Sequence, residues 1–585
     1  MRRIISNKPT YFFHSGRIKF LWLTFVFIVV IIVGRLFWLQ VIKYDDFAEL
    51  AAMQHDIYQD IAPERGIIYA QNTKNQGADF SPLAINQEFY LIYGQTFAVE
   101  NSEQTANKMN EVLDLPQDVV QRIITQLSKI NDPYEPLVHR VTEDKIKKIE
   151  ALGLPGIKWE KESLRYYPQK NISSNVLGFV GWVDDKLEGQ YGIEGYFNEE
   201  LRGEYGWRHS ERDAQGTIIG VGEQNFKKAV NGSSIVLTID DAIQNVACQK
   251  LNEAVEKYDA EGGSAIFMNP KTGAILAMCG SPDFDPNAYS EVKGSNVYTN
   301  PAIFSAYEPG SVFKIITMAA ALDAGKIEPE TTYEDTGEAK IGSYSIKNSD
   351  LKAHGVQTMV DVLKWSLNTG AIWAMRQTGY DTFRDYVRKF GFGDLTGITL
   401  KGEMAGDISS LNKKGDIYPA TASFGQGIMA TPLQMVNSYS TIANGGKMMK
   451  PYIVEKIIDS SGNVTKYEPQ ELRRVITPRT ASLLSGMMVQ VLEAGHTPRA
   501  RVPAYYLAGK TGTAEVASSS GGYGARTIHT FIGFGPVSNP VFVGLIRLDY
   551  PTAAKYADST AAPTFAEIAK FILNYYEVKA ERTGE

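Results

Sequence analysis

From Phe20 to Gly34 the chain carries no charge and almost no polar side chain, and after Arg35 the apolar run resumes to Ile42. A membrane-crossing helix needs ~20 mostly apolar residues, so 20–42 is predicted to span, with the long stem of Arg35 reaching one interface. Trp22 and Trp38 stand near its two ends, where interfacial aromatics settle. A cleaved leader fits less well, because the run is long and Arg35-Leu-Phe-Trp-Leu lacks the small residues of a cleavage site. Residues 1–19 hold Arg2, Arg3, Lys8, Arg17 and Lys19 and no acid. That bias predicts a cytoplasmic N-terminus, with everything after Lys43 outside the cytoplasm.

Beyond the span, Asp45 to Gln59 reads as a helix leaving the membrane, and a strand starts within Pro63-Glu-Arg-Gly-Ile-Ile-Tyr. Helical periodicity recurs over Asn101–Leu113, Asp118–Ile130 and Glu143–Leu152, and Gly192–Gly203 reads as a short helix closed by glycine. Nothing here carries chemistry; Arg65, Arg165 and Glu194 are candidate structural ion-pair partners. The region is expected to be a spacer that lifts the next domain off the membrane. Near Gly232 the pattern changes. Ser234–Asp240 reads as a strand, and Asp240 or Asp241 can cap the helix that runs to Tyr258. Two apolar runs around Asn269-Pro-Lys-Thr-Gly predict a β-hairpin over Ser264–Cys279. Helices are predicted after Ser311, within Val360–Phe390, and over Pro432–Asn444 and Pro478–Ala494. The strands Leu507–Glu515, Thr530–Val537 and Val541–Leu548 follow, then a last helix, Pro563–Tyr576. Strands at both ends with helices between predict an α/β (α+β) fold: one sheet, its edges from distant sequence, covered by helices.

Composition narrows the chemistry. A net charge of −7 over 585 residues gives no basic footprint for nucleic acid. The histidines are scattered, so no metal site is expected. Cys248 and Cys279 allow one disulfide at most and are read as buried free thiols, since cysteine often serves as a small hydrophobe.

The candidate nucleophile is Ser311. Pro309-Gly310 breaks the preceding structure, and Ser311 opens a run that ends at Gly325, a helix with a glycine stop. Ser311 and Lys314, three apart, share one helix face. A neutral lysine can take the serine proton, and the helix N-terminus favours the negative charge that grows on an attacked carbonyl. Ser-x-x-Lys also occurs at Ser290–Lys293, Ser349–Lys352 and Ser410–Lys413, so the pattern alone is weak. Ser366-Leu-Asn368 ends one predicted helix. Lys-Thr-Gly occurs twice: at Lys271 in a hairpin turn, read as structural, and at Lys510-Thr511-Gly512-Thr513, opening a strand.

The order Ser-x-x-Lys, Ser-x-Asn, Lys-Thr-Gly is the signature of penicillin-recognising serine acyltransferases. Tyr307-Glu-Pro-Gly-Ser-Val-Phe-Lys, Phe424-Gly-Gln-Gly-Ile-Met-Ala-Thr-Pro-Leu-Gln and Gly509-Lys-Thr-Gly-Thr-Ala-Glu resemble the transpeptidase domain of class B penicillin-binding proteins. Gly34-Arg-Leu-Phe-Trp-Leu-Gln-Val, Arg65-Gly-Ile-Ile, Arg165-Tyr-Tyr-Pro and Gly192-Ile-Glu-Gly resemble that family's anchor and pedestal. The resemblance is to the cell-division branch more than to the rod-elongation branch. It departs where Ala70 replaces an Asp, where Gln71–Pro82 replaces a short Arg-Asn-Gly turn, and at Lys170 and Asn175.

The resemblance implies a cytoplasmic tail (1–19), a transmembrane helix (20–42), a dimerisation-type pedestal (43–230), a transpeptidase domain (231–579) and a short tail (580–585). It implies an acyl-enzyme on Ser311, formed from peptidoglycan stem peptides on a lipid-linked precursor and blocked by β-lactams. Lys314 would be the base, with Ser366, Asn368 and Lys510 relaying protons and holding substrate. Thr511, Gly512 and Thr513 would bind the substrate carboxylate, and the N–H groups of Ser311 and Thr513 would form the oxyanion hole. Lys314 must be neutral; a shift of ~3 pKa units corresponds to about 4 kcal/mol, which only a packed cleft can supply. No metal or cofactor is implied. The membrane, a membrane-embedded glycosyltransferase and other division proteins are the implied partners. A β-lactam hydrolase or carboxypeptidase, and a non-turnover penicillin sensor or scaffold, remain open.

Overall fold

The computed structural model describes residues 15–44, 47, 56–74, 79–130, 132–183, 186–211, 225–517 and 522–582. The chain divides into two compact units: Met1–Pro63 with Glu204–Val230, and Glu64–Gly203 with Asn231–Glu585.

In the first unit, helix α1 (Ser15–Phe37) runs on as a wider π-type turn, Trp38–Ile42. Together they give a mostly apolar helical stretch of 27 residues, Gly16–Ile42, long enough to cross a bilayer core of ~30 Å at ~1.5 Å per residue. The stretch fits a single-pass membrane anchor and starts slightly earlier than the predicted span. The arginine in its last turn lies 4.6 Å over the Trp38 ring. The expected helix over Asp45–Gln59 is not found where it is described: Asp56–Ile61 is a strand, paired antiparallel with Gly206–Glu211, which in turn pairs with Asn225–Lys227. The rest of that prediction falls mostly outside the described residues.

The second unit begins with strands β1 (Ile68–Gln71), β2 (Phe80–Gly94), β3 (Glu135–Val141) and β4 (Ile157–Tyr166). Three helices, Ser102–Leu113, Gln117–Leu127 and Glu143–Ala151, pack on this layer around Ile92, Met109, Ile123 and Ile146. Their apolar residues recur every three to four positions, which is why the pattern located them. Strand β5 (Ser234–Asp240) pairs in parallel with β1, and Val454–Ile458 and Val464–Lys466 extend the same sheet. One buried carboxylate ties the segment together. Glu194 accepts from Arg65 Nε at 2.7 Å and from Arg165 Nε at 2.6 Å. Burial alone would raise this carboxyl, but the charges of Arg165 and Arg65 hold it below its ordinary value. The three residues read as structural partners are therefore one ion cluster.

Asp240 caps helix α2 (Asp241–Lys257), accepting from Ile243 N at 3.0 Å. The predicted hairpin follows as β6 (Gly262–Met268) and β7 (Ile275–Ser281), with Lys271-Thr-Gly in its turn. After the helices of the site come β8 (Ala508–Ala517), β9 (Tyr523–Gly535) and β10 (Phe542–Asp549). The five form an antiparallel sheet in the order β7-β6-β10-β9-β8, so β6 and β10, distant in sequence, meet at its centre. Helix α2 and the last helix, Ala561–Tyr575, cover one face, where the Phe565 ring packs 4.6 Å from Phe531 and 6.0 Å from Phe267. Every residue of β6 is buried, as expected of a strand covered on both faces.

One expectation fails here. Cys248 of α2 and Cys279 of β7 are bonded to each other, with Cα atoms 5.3 Å apart, and are not free thiols. Helix-on-sheet packing brings the two together, and their separation of 31 residues gave no hint of it.

Candidate active site

Gly310–Phe313 is a 3-10 turn that leads into helix α3 (Lys314–Asp323), so the predicted helix starts tighter than an α-helix. In that geometry residues three apart eclipse, which aligns Ser311 with Lys314. The turn is held from three sides. Gly310 N donates to Gly425 O at 3.0 Å, Tyr439 Oη donates to Val312 O at 2.7 Å, and Thr317 Oγ1 donates to Ser423 O at 2.7 Å. Gly425 has φ +80°, and a Cβ there would lie 2.2 Å from Gly310 O, so only glycine allows this approach. The Phe424-Gly-Gln-Gly motif is thus the clamp on the Ser311 turn.

Helix α4 (Met359–Lys364) ends just before Ser366, which takes φ 58°, and helix α5 (Asn368–Thr378) starts at Asn368. The unusual backbone of Ser366 turns its carbonyl and hydroxyl toward Lys314. Lys314 Nζ donates to Ser366 O at 2.5 Å and lies 3.2 Å from Ser366 Oγ. Lys314 is fully buried, and Lys510 is 2 % exposed. Burial, and then the Lys510 charge, pushes the Lys314 ammonium well below its ordinary range. Burial brings Lys510 itself down to about 7. Both directions follow from removing an ammonium from water without a carboxylate partner.

Strand β8 is an edge of the sheet, so alternate backbone N–H and C=O groups have no neighbouring strand on one side. It crosses directly over the Ser311 turn: a Cβ at Gly512 would stand 2.9 Å from Pro309 O and 3.2 Å from Val312 Cγ1. Thr511 and Thr513 share the other pleat face. Thr513 Oγ1 accepts from Ala557 N at 3.1 Å, and Thr511 Oγ1 lies 3.5 Å from Thr497 Oγ1. Asn368 Nδ2 donates to Lys347 O at 2.9 Å. The structure therefore brings Lys314 into direct contact with Ser366 and within electrostatic reach of Lys510, with Ser311 one turn before Lys314 and Gly512 against that turn. Asn368 lies beside them with its amide donor already engaged.

Several residues of this site were not expected from sequence. Asn348 Oδ1 accepts from Asn368 N at 2.9 Å and Thr369 N at 3.2 Å. Asp335, 2 % exposed, accepts from Asn348 Nδ2 at 2.9 Å and from Thr369 Oγ1 at 2.8 Å. These two hold the start of α5, and no local motif marks either. Thr497 and His496 precede β8, and the His496 ring meets Trp365 edge-on at 4.9 Å. No group of three or more His, Cys, Asp or Glu side chains positioned to hold a metal occurs among the described residues.

A serine and a charge-suppressed lysine at the head of a buried helix, facing an edge strand, are the groups that serine acyl transfer requires. Comparison with known proteins gives the family. Residues 263–570 match the penicillin-binding protein transpeptidase domain, and residues 60–237 match the penicillin-binding protein dimerisation domain. Stage V sporulation protein D of Bacillus subtilis is 32% identical over 570 residues, covering 97% of this chain and 86% of that protein. Peptidoglycan D,D-transpeptidase FtsI of Buchnera aphidicola is 31% identical over 567 residues, covering 96% and 94%. The crystal structure of penicillin-binding protein 3 from Mycobacterium tuberculosis with aztreonam superposes with TM-score 0.68 at 27% identity, covering 90% of this chain and 98% of that one. The chain belongs to the penicillin-binding protein transpeptidase family.

Proposed function

We propose that the chain is a serine-type peptidoglycan D,D-transpeptidase whose nucleophile is Ser311. The observation that carries this is the buried Lys314, held on Ser366 and suppressed in charge beside Lys510. Ser311 Oγ attacks the carbonyl between the two terminal D-alanines of a stem peptide while Lys314 takes its proton. Growing negative charge on the carbonyl oxygen is met by the N–H groups of Ser311 and Thr513, each donor contributing about 3 kcal/mol in acyl-transfer enzymes of this kind. Ser366 passes the proton to the leaving D-alanine amine, and Asn368 orients the substrate amide. Lys510 with the Thr511 and Thr513 hydroxyls receives the terminal carboxylate. An amine of a second stem peptide then attacks the Ser311 ester and forms the cross-link. β-Lactams are read as acylating the same serine; one relative, penicillin-binding protein 3 of Mycobacterium tuberculosis, crystallised with aztreonam and with ampicillin, supports this.

The domain division proposed from the sequence is supported by the two family matches, over 60–237 and 263–570. An outward orientation is supported by the basic N-terminal flank and by the disulfide, since such bonds persist outside the reducing cytosol. A septal role is supported by the FtsI relative, and a glycosyltransferase or other division partner is implied by the same resemblance. Ser311→Ala tests the reading. Loss of fluorescent-penicillin labelling together with loss of cross-links in cells supports it. Rapid β-lactam turnover by the unsubstituted chain would make it a hydrolase, and full rescue by the alanine variant would make it a sensor.

A further inference from the structure

His496 has no part in the acylation just described, yet it touches the Ser366 side of the site and is joined in the chain to its Lys510 side. On the Ser366 side the imidazole meets the Trp365 ring edge-on, and Lys364 Nζ lies 4.6 Å over that same ring. Asp350 and His354, paired at 2.8 Å, belong to the loop whose Asn348 supports Asn368. On the Lys510 side His496 is followed directly by Thr497, whose hydroxyl lies 3.5 Å from that of Thr511. Asp558, in the turn that donates from Ala557 N to Thr513, also acts on it electrostatically, as do Lys510, Asp350 and His354. The residue as a whole is exposed. Partial burial and the Lys510 charge hold the imidazole below its ordinary range, against the upward pull of Asp350 and Asp558, so at neutral pH it is free to accept a proton.

The second half-reaction needs such a group. A primary amine arrives at neutral pH as an ammonium ion and cannot attack an ester until it loses a proton. Lys314 handles only the proton that moves between the attacking nitrogen and Ser311 Oγ. The extra proton must go elsewhere. The acceptor amine takes the place the D-alanine amine has left, beside the carboxylate site at Thr511 and Thr513, which is the side on which His496 stands.

Resting on the transpeptidase reading above, we propose that His496 takes the surplus proton from the incoming acceptor ammonium. The acceptor R–NH3+ gives one proton to the imidazole. The freed nitrogen lone pair forms the C–N bond to the acyl carbonyl, and the C–Oγ bond to Ser311 breaks. A second proton passes from that nitrogen through Lys314 to Ser311 Oγ, the third stays on the new amide, and the imidazolium returns its proton to water.

The test uses the full-length chain in detergent with a thioester analogue of the D-Ala-D-Ala terminus and D-alanine as acceptor. It reads the ratio of transfer to hydrolysis. For His496→Gln this ratio falls at least about ten-fold at neutral pH and recovers at alkaline pH, where the acceptor deprotonates unaided. Acylation by a fluorescent penicillin, a step in which His496 has no role, is retained and shows that the fold is intact. Added imidazole restores transfer in His496→Ala. An unchanged ratio at neutral pH overturns the proposal, as does a parallel fall of acylation and transfer. Failure of the unsubstituted chain to form any acyl-enzyme overturns the transpeptidase reading instead.

Discussion

Lys510→Met separates stability from function at the centre of the site. The folded chain holds the Lys510 proton with a pKa of about 7, whereas an unfolded lysine has ~10.4. Between those values the unfolded state binds more protons, so stability rises with pH across the window and levels off above it. At neutral pH the cost of keeping this lysine works out at about 4 kcal/mol, from ~1.4 kcal/mol per unit. Water penetration and the lost bond from Lys510 Nζ to Thr511 O reduce the expected net gain to about 2 kcal/mol or more. With ~2.1 cal/mol/K per residue for a cooperative unit of roughly 350 residues, Lys510→Met raises the apparent Tm by about 3–5 °C at pH 7. Thermal melts at neutral and alkaline pH measure this, and penicillin labelling of the same samples should be lost. A lower Tm, or a gain as large at alkaline pH as at neutral pH, would refute the reasoning.

Other consequences are equally direct. The proposed mechanism needs Lys314 neutral and Lys510 charged, so the acylation rate should rise with pH as Lys314 loses its proton and fall above about 7 as Lys510 does. In Lys510→Arg the falling limb should move out of range, which stopped-flow penicillin acylation would show. Asp335→Ala leaves Asn348 and Thr369 without their shared acceptor, and acylation should drop about ten-fold or more with little change in overall melting beyond ~1–3 kcal/mol. Cys248→Ser opens the disulfide-closed loop of 31 residues and should lower stability by about 3–4 kcal/mol in denaturant titrations while labelling at Ser311 persists.

How far the sequence reached depends on how local each signal was. The anchor, the helices around Met109 and Ile123, and the hairpin at Asn269 are written in periodicities of one element, and they form as expected. The Ser311 turn was legible because Pro-Gly before and an apolar helix after mark a helix start. Asp335 and Asn348 were not, because their role exists only once the 335–348 segment packs against the start of α5. The Cys248–Cys279 bond depends likewise on α2 lying across β7. Asp56–Ile61 took strand form through pairing with Gly206–Glu211, a partner about 150 residues away that local propensity does not contain.

The proposed mechanism turns on which oxygen becomes esterified. Incubating the full-length chain with a β-lactam, digesting it and mapping the adduct by mass spectrometry answers that directly. The predicted result is a single acyl adduct on Ser311, absent when Lys314 is replaced by alanine. An adduct on another serine, or undiminished acylation without Lys314, would contradict it.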